Sequence, residues 1–219
     1  MKLLIMLILF LPFVSYAEGK IEYIPKGKLF EFGNYKDYEI QRYSTLLTRM
    51  KEPSLWEISK SKNQKESYRF IVPTDIDGDF ICIRVEINNS DEVSIYKKMF
   101  NVDRTKVGYE GELIINEKKD ILKKELQLLL KTINEINFWK LRSEDFLSFN
   151  KNGFITFDSP IWFFEGVKNN EYQAVEIPMD KYSSDLIPKI YQFGDSFLVL
   201  AGLYREEDKV KGISKDEKK

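Results

Sequence analysis

The sequence contains no histidine and only one cysteine among its 219 residues. The absence of histidine excludes a Ser-His-Asp or Cys-His nucleophile, a histidine-ligated catalytic metal and a histidine pH switch. The single cysteine excludes an intrachain disulfide and a cysteine-rich zinc site. Cys82 stands in the apolar run 80–83, which predicts a buried thiol, with an intermolecular disulfide as the alternative. Phosphate-binding and dinucleotide-binding motifs are also missing, so we expect no cofactor.

The chain carries almost equal numbers of charges of each sign. Lys and Arg total 34, Asp and Glu total 35, and the net charge is −1. Proteins that bind nucleic acid or anionic membranes need an excess of basic residues, so neither is an expected partner. The composition is 43% hydrophobic and 14% aromatic, which is typical of a globular domain with a large core.

The N-terminus has the pattern of a secretory signal peptide. Lys2 precedes an apolar run from Leu3 to Val14, and Ser15-Tyr16-Ala17 supplies a small-x-small cleavage site. An uncleaved membrane anchor is the alternative, but the run is shorter than the roughly 20 residues that span a bilayer. The sequence therefore predicts cleavage after Ala17 and a periplasmic or secreted protein without a stable membrane anchor.

Four regions are expected along the chain: a signal peptide (1–17), an N-terminal arm with a short helix (18–66), an α+β domain (67–204) and a charged, disordered tail (205–219). Apolar residues at helical spacing predict the short helix over 40–50, and Pro53 ends that pattern. Residues 59–67 are polar and are expected to form a loop.

The domain begins with runs rich in β-formers at 68–72, 80–87, 93–100 and, more weakly, 108–115, which predict an antiparallel meander. An apolar stripe over 121–136, with Asn116 as its N-cap, predicts a helix. Runs at 161–167 and 172–177 flank Asn169-Asn170 and predict a hairpin, because asparagine tolerates positive φ. A last helix is expected from 183–184 to Gly202. This order indicates an α+β fold: an antiparallel β-sheet, made of the meander plus a later hairpin, with helices packed on one face.

One acidic stretch has part of a calcium-loop pattern. Asp75, Asp77 and Asp79 have the spacing of the first three ligands, and Glu86 stands at the twelfth position. Phe80 occupies the sixth position, where the sharp turn of an EF-hand needs glycine. An Asp-Gly hairpin turn explains the same residues, so we predict that no metal binds here.

Glu165 and Glu176 lie on the two strands of the predicted hairpin. With Asn169-Asn170 as the turn, the two carboxylates are diagonal neighbours on one face of the sheet. The preferred interpretation is a solvated glutamate face, with a polar recognition site and a carboxylate hydrolase as the alternatives. Arg69 and Arg84, on neighbouring strands, are candidates for a cross-strand ion pair with these glutamates. The opposite face is apolar and carries Trp162, Phe164, Val175 and Ile177.

A segment rich in phenylalanine precedes the hairpin. Its four phenylalanines alternate with charged residues, Asn and Gly, a composition that is unusual because loops run over the surface. The segment is expected either to plug one end of the core or to form a contact surface for a partner protein or an apolar ligand. The candidate binding residues are these phenylalanines and four residues of the hairpin: Phe146, Phe149, Phe154, Phe157, Phe163, Glu165, Tyr172 and Glu176.

Several short stretches of the sequence match parts of the pattern of one protein family. They are 68–70, 83–85, Phe138-Trp139 with Leu141, then Trp162, 165–167, Tyr172 and Val175, and finally 201–203. Together they resemble an uncharacterised family of small exported bacterial proteins. The chain departs from that family at 158–160, where the family often carries Leu-Asp-Gly, and at 176–177, near the place of a family Asp-Arg pair. The resemblance covers about residues 67–203. It implies a shared fold and export, and it implies no activity.

These patterns predict an exported, non-enzymatic binding protein that recognises another macromolecule, most simply a protein in the cell envelope or outside the cell. An immunity or inhibitor protein is one form of this hypothesis. The alternative is a carrier or sensor of a small apolar ligand held between sheet and helices. A histidine-free hydrolase that uses Glu165 and Glu176 is the third hypothesis.

Overall fold

The computed structural model describes residues 21–26, 29, 36–61, 66–74, 79–88, 90, 92–103, 105–106, 110–146, 160–179 and 186–203. Two helices come first, α1 (Lys36–Arg49) and α2 (Leu55–Lys60). They are followed by β1 (Glu66–Pro73), β2 (Phe80–Ile87), β3 (Val93–Val102) and β4 (Gly111–Ile121). A 3-10 helix (Lys123–Leu126) leads into α3 (Gln127–Glu135), and two short 3-10 helices follow (Phe138–Lys140 and Ser143–Phe146). The chain continues with β5 (Ile161–Lys168), β6 (Glu171–Pro178) and α4 (Ile187–Leu200).

The six strands form one antiparallel sheet in the order β4-β3-β2-β1-β5-β6. The first four strands are the predicted meander, and the β5–β6 hairpin adds to the free side of β1. Asn169 and Asn170 turn this hairpin with φ angles of 51° and 64°, and Lys168 pairs with Glu171 as predicted. The predicted α+β class and its antiparallel sheet are therefore confirmed.

One face of the sheet is covered by α3 and α4, as predicted. The rings of Phe70 and Phe164 stack with their centroids 4.7 Å apart, and Phe193 of α4 stacks on Phe164 at 4.6 Å. Gly194 allows α4 to approach the sheet, because a Cβ atom at this position would lie 2.2 Å from the indole of Trp162. Aromatic stacking between strands and helix thus builds this half of the core.

The other face is covered by α1 and α2, which form a second apolar layer. Tyr43 of α1 stacks on Phe163 of β5 at 4.3 Å, and Leu47, Met50 and Leu55 are completely buried. Since β1 and β5 are packed on both faces, most of their residues are buried and not only every second one. The N-terminal helices are therefore part of the fold and decide what the hairpin's second face meets.

Two elements differ from the sequence expectation. The predicted N-cap Asn116 lies inside β4, because residues 115–121 pair with 99–93 of β3 and strand pairing takes precedence over the helical stripe. The helix therefore begins at Gln127, after a 3-10 turn. α2 was not expected; it is only six residues long, and Ser54 caps it by accepting the backbone N–H of Glu57 at 3.0 Å.

Several expectations fall outside the described residues: the signal peptide, the charged tail, the first turn expected for the last helix, and three of the four phenylalanines (Phe149, Phe154 and Phe157). At the other end of that helix Gly202 has φ of +69°, as expected for a residue that ends a helix. Within the described part of the chain, no helix is long and apolar enough to cross a membrane.

Candidate functional site

The hairpin residues that the sequence offered as a solvated binding face are buried. Phe163 and Glu165 are 0% and 1% exposed, and Tyr172 and Glu176 are also buried. They do share one face of the sheet, as predicted, but α1 and α2 lie over that face. The interpretation of a solvated glutamate face is therefore wrong, and these four residues are not available as a surface for a partner.

Phe146 is likewise buried, with an exposed fraction of 0%. It ends the 3-10 helix Ser143–Phe146 and joins the core between the sheet, α3 and α4. The contact-surface interpretation is wrong for this residue, whereas the core-plug interpretation fits it. The phenylalanine segment continues into residues 147–159, which lie outside the described residues.

The buried face holds an ionic cluster centred on Glu52, in the turn between α1 and α2. One carboxylate oxygen lies 2.8 Å from Arg84 Nε and 3.2 Å from Arg69 Nε, and the other lies 2.8 Å from Lys98 Nζ. Lys51 adopts a left-handed conformation, φ 53°, which turns the chain so that Glu52 points at the sheet. We call Glu52, Arg69, Arg84, Lys98 and Glu165 the Glu52 network.

Arg69 connects Glu52 to Glu165 in the middle of the sheet. Its Nη1 lies 2.6 Å from Glu165 Oε2, and its Nη2 donates to the backbone carbonyl of Pro53. Tyr172 donates its hydroxyl hydrogen to the other Glu165 oxygen at 2.8 Å. The predicted cross-strand ion pair is therefore confirmed for Arg69 with Glu165, while Arg84 pairs with Glu52 and Glu86.

The positive charges of the network offset the effect of burial on the pKa values of its two carboxyl groups. Burial would raise the pKa of Glu52, but Arg69, Arg84 and Lys98 together lower it below its usual value. Burial raises the pKa of Glu165, and the charge of Arg69 and the hydrogen bond from Tyr172 oppose that rise. Because each member is at least nine-tenths buried, the network clamps the N-terminal helices to the sheet and offers no group to a ligand.

Glu176 belongs to a different cluster on the same buried face. Its carboxylate lies 3.7 Å from Arg42 Nη2, and its backbone N–H donates to the Ser143 hydroxyl at 2.9 Å. Burial, followed by the negative charge of Glu39, raises the pKa of Glu176 to about 8. Glu165 and Glu176 thus have different partners and no shared access, so they do not form the pair of carboxylates that the hydrolase hypothesis requires.

An accessible site lies farther along the same face, over β2, β3 and β4 and beyond the helices. It is a cleft of about 580 Å³. We call it the Tyr96 cleft, and its lining residues are Glu86, Asn88, Glu92, Val93, Ser94, Tyr96, Lys118, Asp120, Ile121, Leu122 and Lys123.

Tyr96 stands in the middle of a cross-strand row. Arg84, Tyr96 and Lys118 pair across the three strands, and the Arg84 guanidinium carbon lies 3.9 Å from the centre of the Tyr96 ring. Lys118 Nζ lies 5.8 Å from the same ring and 3.3 Å from Asp120, which accepts the Ser94 hydroxyl at 2.6 Å. The ring is therefore held between two cations, with carboxylates beside them.

Asn88 orders the rim of the cleft. Its side-chain oxygen accepts the backbone N–H groups of Ser90 and Glu92 at 3.0 and 2.8 Å, and its side-chain nitrogen donates to the Glu92 carboxylate at 2.6 Å. The sequence interpretation missed this site because it placed residues 116–121 in a helix, which separated Lys118 and Asp120 from Tyr96. Residues 117–120 are all charged, so the sequence carries no apolar alternation that would have marked the continuation of the strand.

Two acidic residues of the partial calcium-loop pattern, Asp79 and Glu86, bind other groups of the protein. The Asp79 carboxylate accepts the backbone N–H of Val102 at 3.1 Å, and Glu86 pairs with Arg84 at 2.7 Å on β2. Asp75 and Asp77 lie outside the described residues. No group of three or more potential metal ligands occurs among the residues that the structure describes.

Cys82 is a free thiol that is buried on β2, as the sequence predicted. Burial raises the pKa of this thiol well above its usual range. The protonated sulfur therefore behaves as a small apolar group of the second core.

Comparison with known proteins did not assign the chain to a family. No protein-family model matches the chain, and no curated protein matches it. The resemblance to small exported bacterial proteins accordingly stays a prediction, and the functional argument rests on the Tyr96 cleft.

Proposed function

We propose that this chain is an exported, non-enzymatic binding protein that recognises another macromolecule, and that the Tyr96 cleft is its recognition site. The observation that carries the proposal is the Tyr96 ring held between Arg84 and Lys118 at the floor of an accessible, charged cleft. The partner is a protein of the cell envelope or of the surroundings, such as a toxin or hydrolase that the chain inhibits.

The chemistry of the cleft favours a protein partner over the other classes. Tyrosine is among the residues that most often dominate the energy of protein interfaces, and the Tyr96 ring lines the cleft while the buried Arg84 holds it in place. Both signs of charge line the cleft, so it suits a protein segment with complementary charges and does not form the basic track that a nucleic acid needs. The fixed hydrogen bonds of Asn88, Ser94 and Asp120 reduce the entropy that binding would cost.

A carrier of a small apolar ligand is less well supported. Pockets for such ligands are lined mainly by apolar and aromatic side chains. The Tyr96 cleft is lined mainly by polar and charged groups, and a second cleft of about 540 Å³ near Asp103 and Glu110 is also polar. Between sheet and helices, the described aromatic side chains stack on one another.

The recognition site is testable with a tyrosine substitution on each face of the sheet. Tyr96→Ala is expected to weaken capture of an envelope protein by about tenfold or more, since loss of a hot-spot side chain costs about 2 kcal/mol or more. Tyr191→Ala is the matched control, because Tyr191 is 40% exposed on α4, on the opposite face. Capture from cell-envelope extract is quantified for both variants beside thermal unfolding.

The two readouts separate recognition from stability. The proposal expects Tyr96→Ala to keep its melting temperature within a few degrees of the parent and to lose capture, while Tyr191→Ala keeps both. Equal capture by the parent and Tyr96→Ala would contradict the assignment of the site.

The export half of the proposal depends on the N-terminal sequence and has its own test. Signal peptidase is expected to cleave after Ala17, so that the exported protein begins at Glu18. N-terminal sequencing of protein recovered from the periplasm or the medium checks this. Recovery of a chain that still begins at Met1 in the membrane fraction would show that the segment is an anchor.

A further inference from the structure

The two outer strands of the sheet differ in how their edges are covered. On β6 the backbone N–H of Glu176 points outward and donates to Ser143, in the 3-10 helix that lies along that edge. β4 is the last strand at the opposite edge, is 11 residues long, and is paired with β3 alone among the described elements. An uncovered strand of this length presents a row of backbone donors and acceptors that another strand can pair with.

The register of the meander shows which β4 residues point outward. The N–H of Asn88 donates to the carbonyl of Glu92, so residues 88 and 92 are a hydrogen-bonded pair, and every second pair along β2–β3 is of the same kind. The even residues of β3 therefore bond β2, and its odd residues 93–99 bond the odd residues 121–115 of β4. The backbone groups of Asn116, Lys118 and Asp120 consequently point away from the sheet.

We propose that β4 pairs antiparallel with β4 of a second copy of this chain, about a two-fold axis at Lys118, and so extends the sheet across a homodimer. The inference does not depend on the proposed recognition function, because it rests on the backbone edge of β4, although Lys118, Asp120, Ile121 and Leu122 also line the Tyr96 cleft. A two-fold contact places each residue opposite a partner whose number follows from the axis, which makes the register a geometric prediction.

Charge is compatible with this register, and the match of apolar residues selects it among those that bring outward residues together. An axis at Lys118 places Glu117 opposite Lys119 of the second copy, twice in the dimer, and both residues are exposed. Each of the axes at 117, 118 and 119 sets one residue against its own copy, but the axes at 117 and 119 also place Ile114 and Ile115 opposite charged residues. Opposite charges stabilise a cross-strand pair, whereas like charges destabilise it.

Apolar residues match in the same register. Ile115 falls opposite Ile121, and Ile114 falls opposite Leu122, again twice in the dimer. Ile114 and Leu122 are 47% and 60% exposed in the single chain, which is unusual for large apolar side chains. Pairing the two strands would bury Ile114 and Leu122 of both copies, four side chains in all, at the two ends of the contact.

The like charges at the axis have neighbours that compensate for them. Lys118 lies 3.3 Å from Asp120 of its own chain. In the proposed register it is also a diagonal neighbour of Asp120 on the other chain, on the same face of the sheet. Two lysines and two aspartates therefore alternate around the axis.

A cysteine at the axis provides the sharpest test. Opposite residues of a hydrogen-bonded antiparallel pair have Cα atoms about 5.5 Å apart, which a disulfide can bridge. Lys118→Cys is expected to form a disulfide-linked dimer roughly 100-fold faster than Glu112→Cys at micromolar protein, because pairing raises the local thiol concentration to about the millimolar range. Glu112 is exposed on the same strand and away from the axis, and the buried Cys82 stays reduced in both variants.

The second test removes one outward donor and leaves the inward ones. Asn116→Pro deletes an N–H that points away from β3 and is expected to make the protein monomeric, whereas Asn116→Ala keeps the N–H and the dimer. Sedimentation velocity over a concentration series measures both, beside thermal unfolding. A monomeric parent at every concentration, equal cross-linking at 118 and 112, or an Asn116→Pro dimer would each overturn the proposal.

Discussion

Glu52→Gln is expected to lower the free energy of unfolding by about 3 to 5 kcal/mol at neutral pH. The substitution keeps the shape of the side chain and removes the negative charge that faces Arg69, Arg84 and Lys98. These cations are buried under α1 and α2, so water cannot replace the lost partner. Chemical denaturation of the parent and the variant measures the difference directly.

Glu57→Gln is the matched control for this prediction. Glu57 lies in the first turn of α2 and forms an exposed ion pair with Lys60. Exposed pairs contribute little because solvent screens them, so the control is expected to unfold almost as the parent does. If Glu52→Gln and Glu57→Gln had the same small effect, the Glu52 network would not be the clamp that holds the N-terminal helices.

Glu176→Gln is expected to raise the free energy of unfolding, unlike Glu52→Gln, and the increase grows with pH. The folded pKa of Glu176 is raised from 4.5 to about 8, so the folded state favours the protonated carboxyl. The corresponding contribution to stability is complete below about pH 4.5 and is lost as the pH rises through 8. At about 1.4 kcal/mol per pH unit, the variant should gain up to about 4 kcal/mol over the parent at pH 8 and almost nothing at pH 4.5.

The measurement is the difference in unfolding free energy between variant and parent across that pH range. Glu171→Gln serves as the control, because Glu171 begins the same strand and is exposed to solvent. Its difference from the parent is expected to stay constant with pH. Parallel curves for Glu176→Gln and the parent would show that the carboxyl is ionised in the folded protein at neutral pH.

Parts of the fold that depend on local chemistry were predictable. The Asn169-Asn170 turn sets the β5–β6 register by itself, because both residues adopt the positive φ angles that a two-residue hairpin needs. The same register placed Glu165 and Glu176 on one face and Trp162 and Phe164 on the other. The pairing of Arg69 with Glu165 also followed from strand order, once the hairpin was placed beside β1.

The environment of those residues was not predictable from the hairpin alone. An alternating strand indicates that its two faces differ, but it does not indicate whether the polar face meets water or a second layer. Here α1 brings Tyr43 onto Phe163, and the turn after it brings Glu52 onto Arg69. A pattern that suggested a solvated, accessible face therefore became a buried network.

The region of residues 116–121 shows a conflict between local and long-range preferences. The apolar spacing over 121–136 favours a helix, and Asn116 is a good N-cap, so a local interpretation extends the helix too far. Pairing with β3 holds these residues in a strand, joins Ser94 to Asp120, and brings Lys118 beside Tyr96. Both the proposed recognition site and the proposed dimer edge exist only because this strand continues to Ile121.

The sequence by itself determined the α+β class, the hairpin and its register, the buried thiol of Cys82 and the absence of histidine chemistry, because each depends on composition or on neighbours along the chain. Tertiary structure alone decided that Glu165 and Glu176 are buried in separate clusters and that Arg84, Tyr96 and Lys118 form one row across three strands. The physical reason is that burial and charge pairing depend on residues far apart in sequence, and Glu165 meets an arginine 96 positions away.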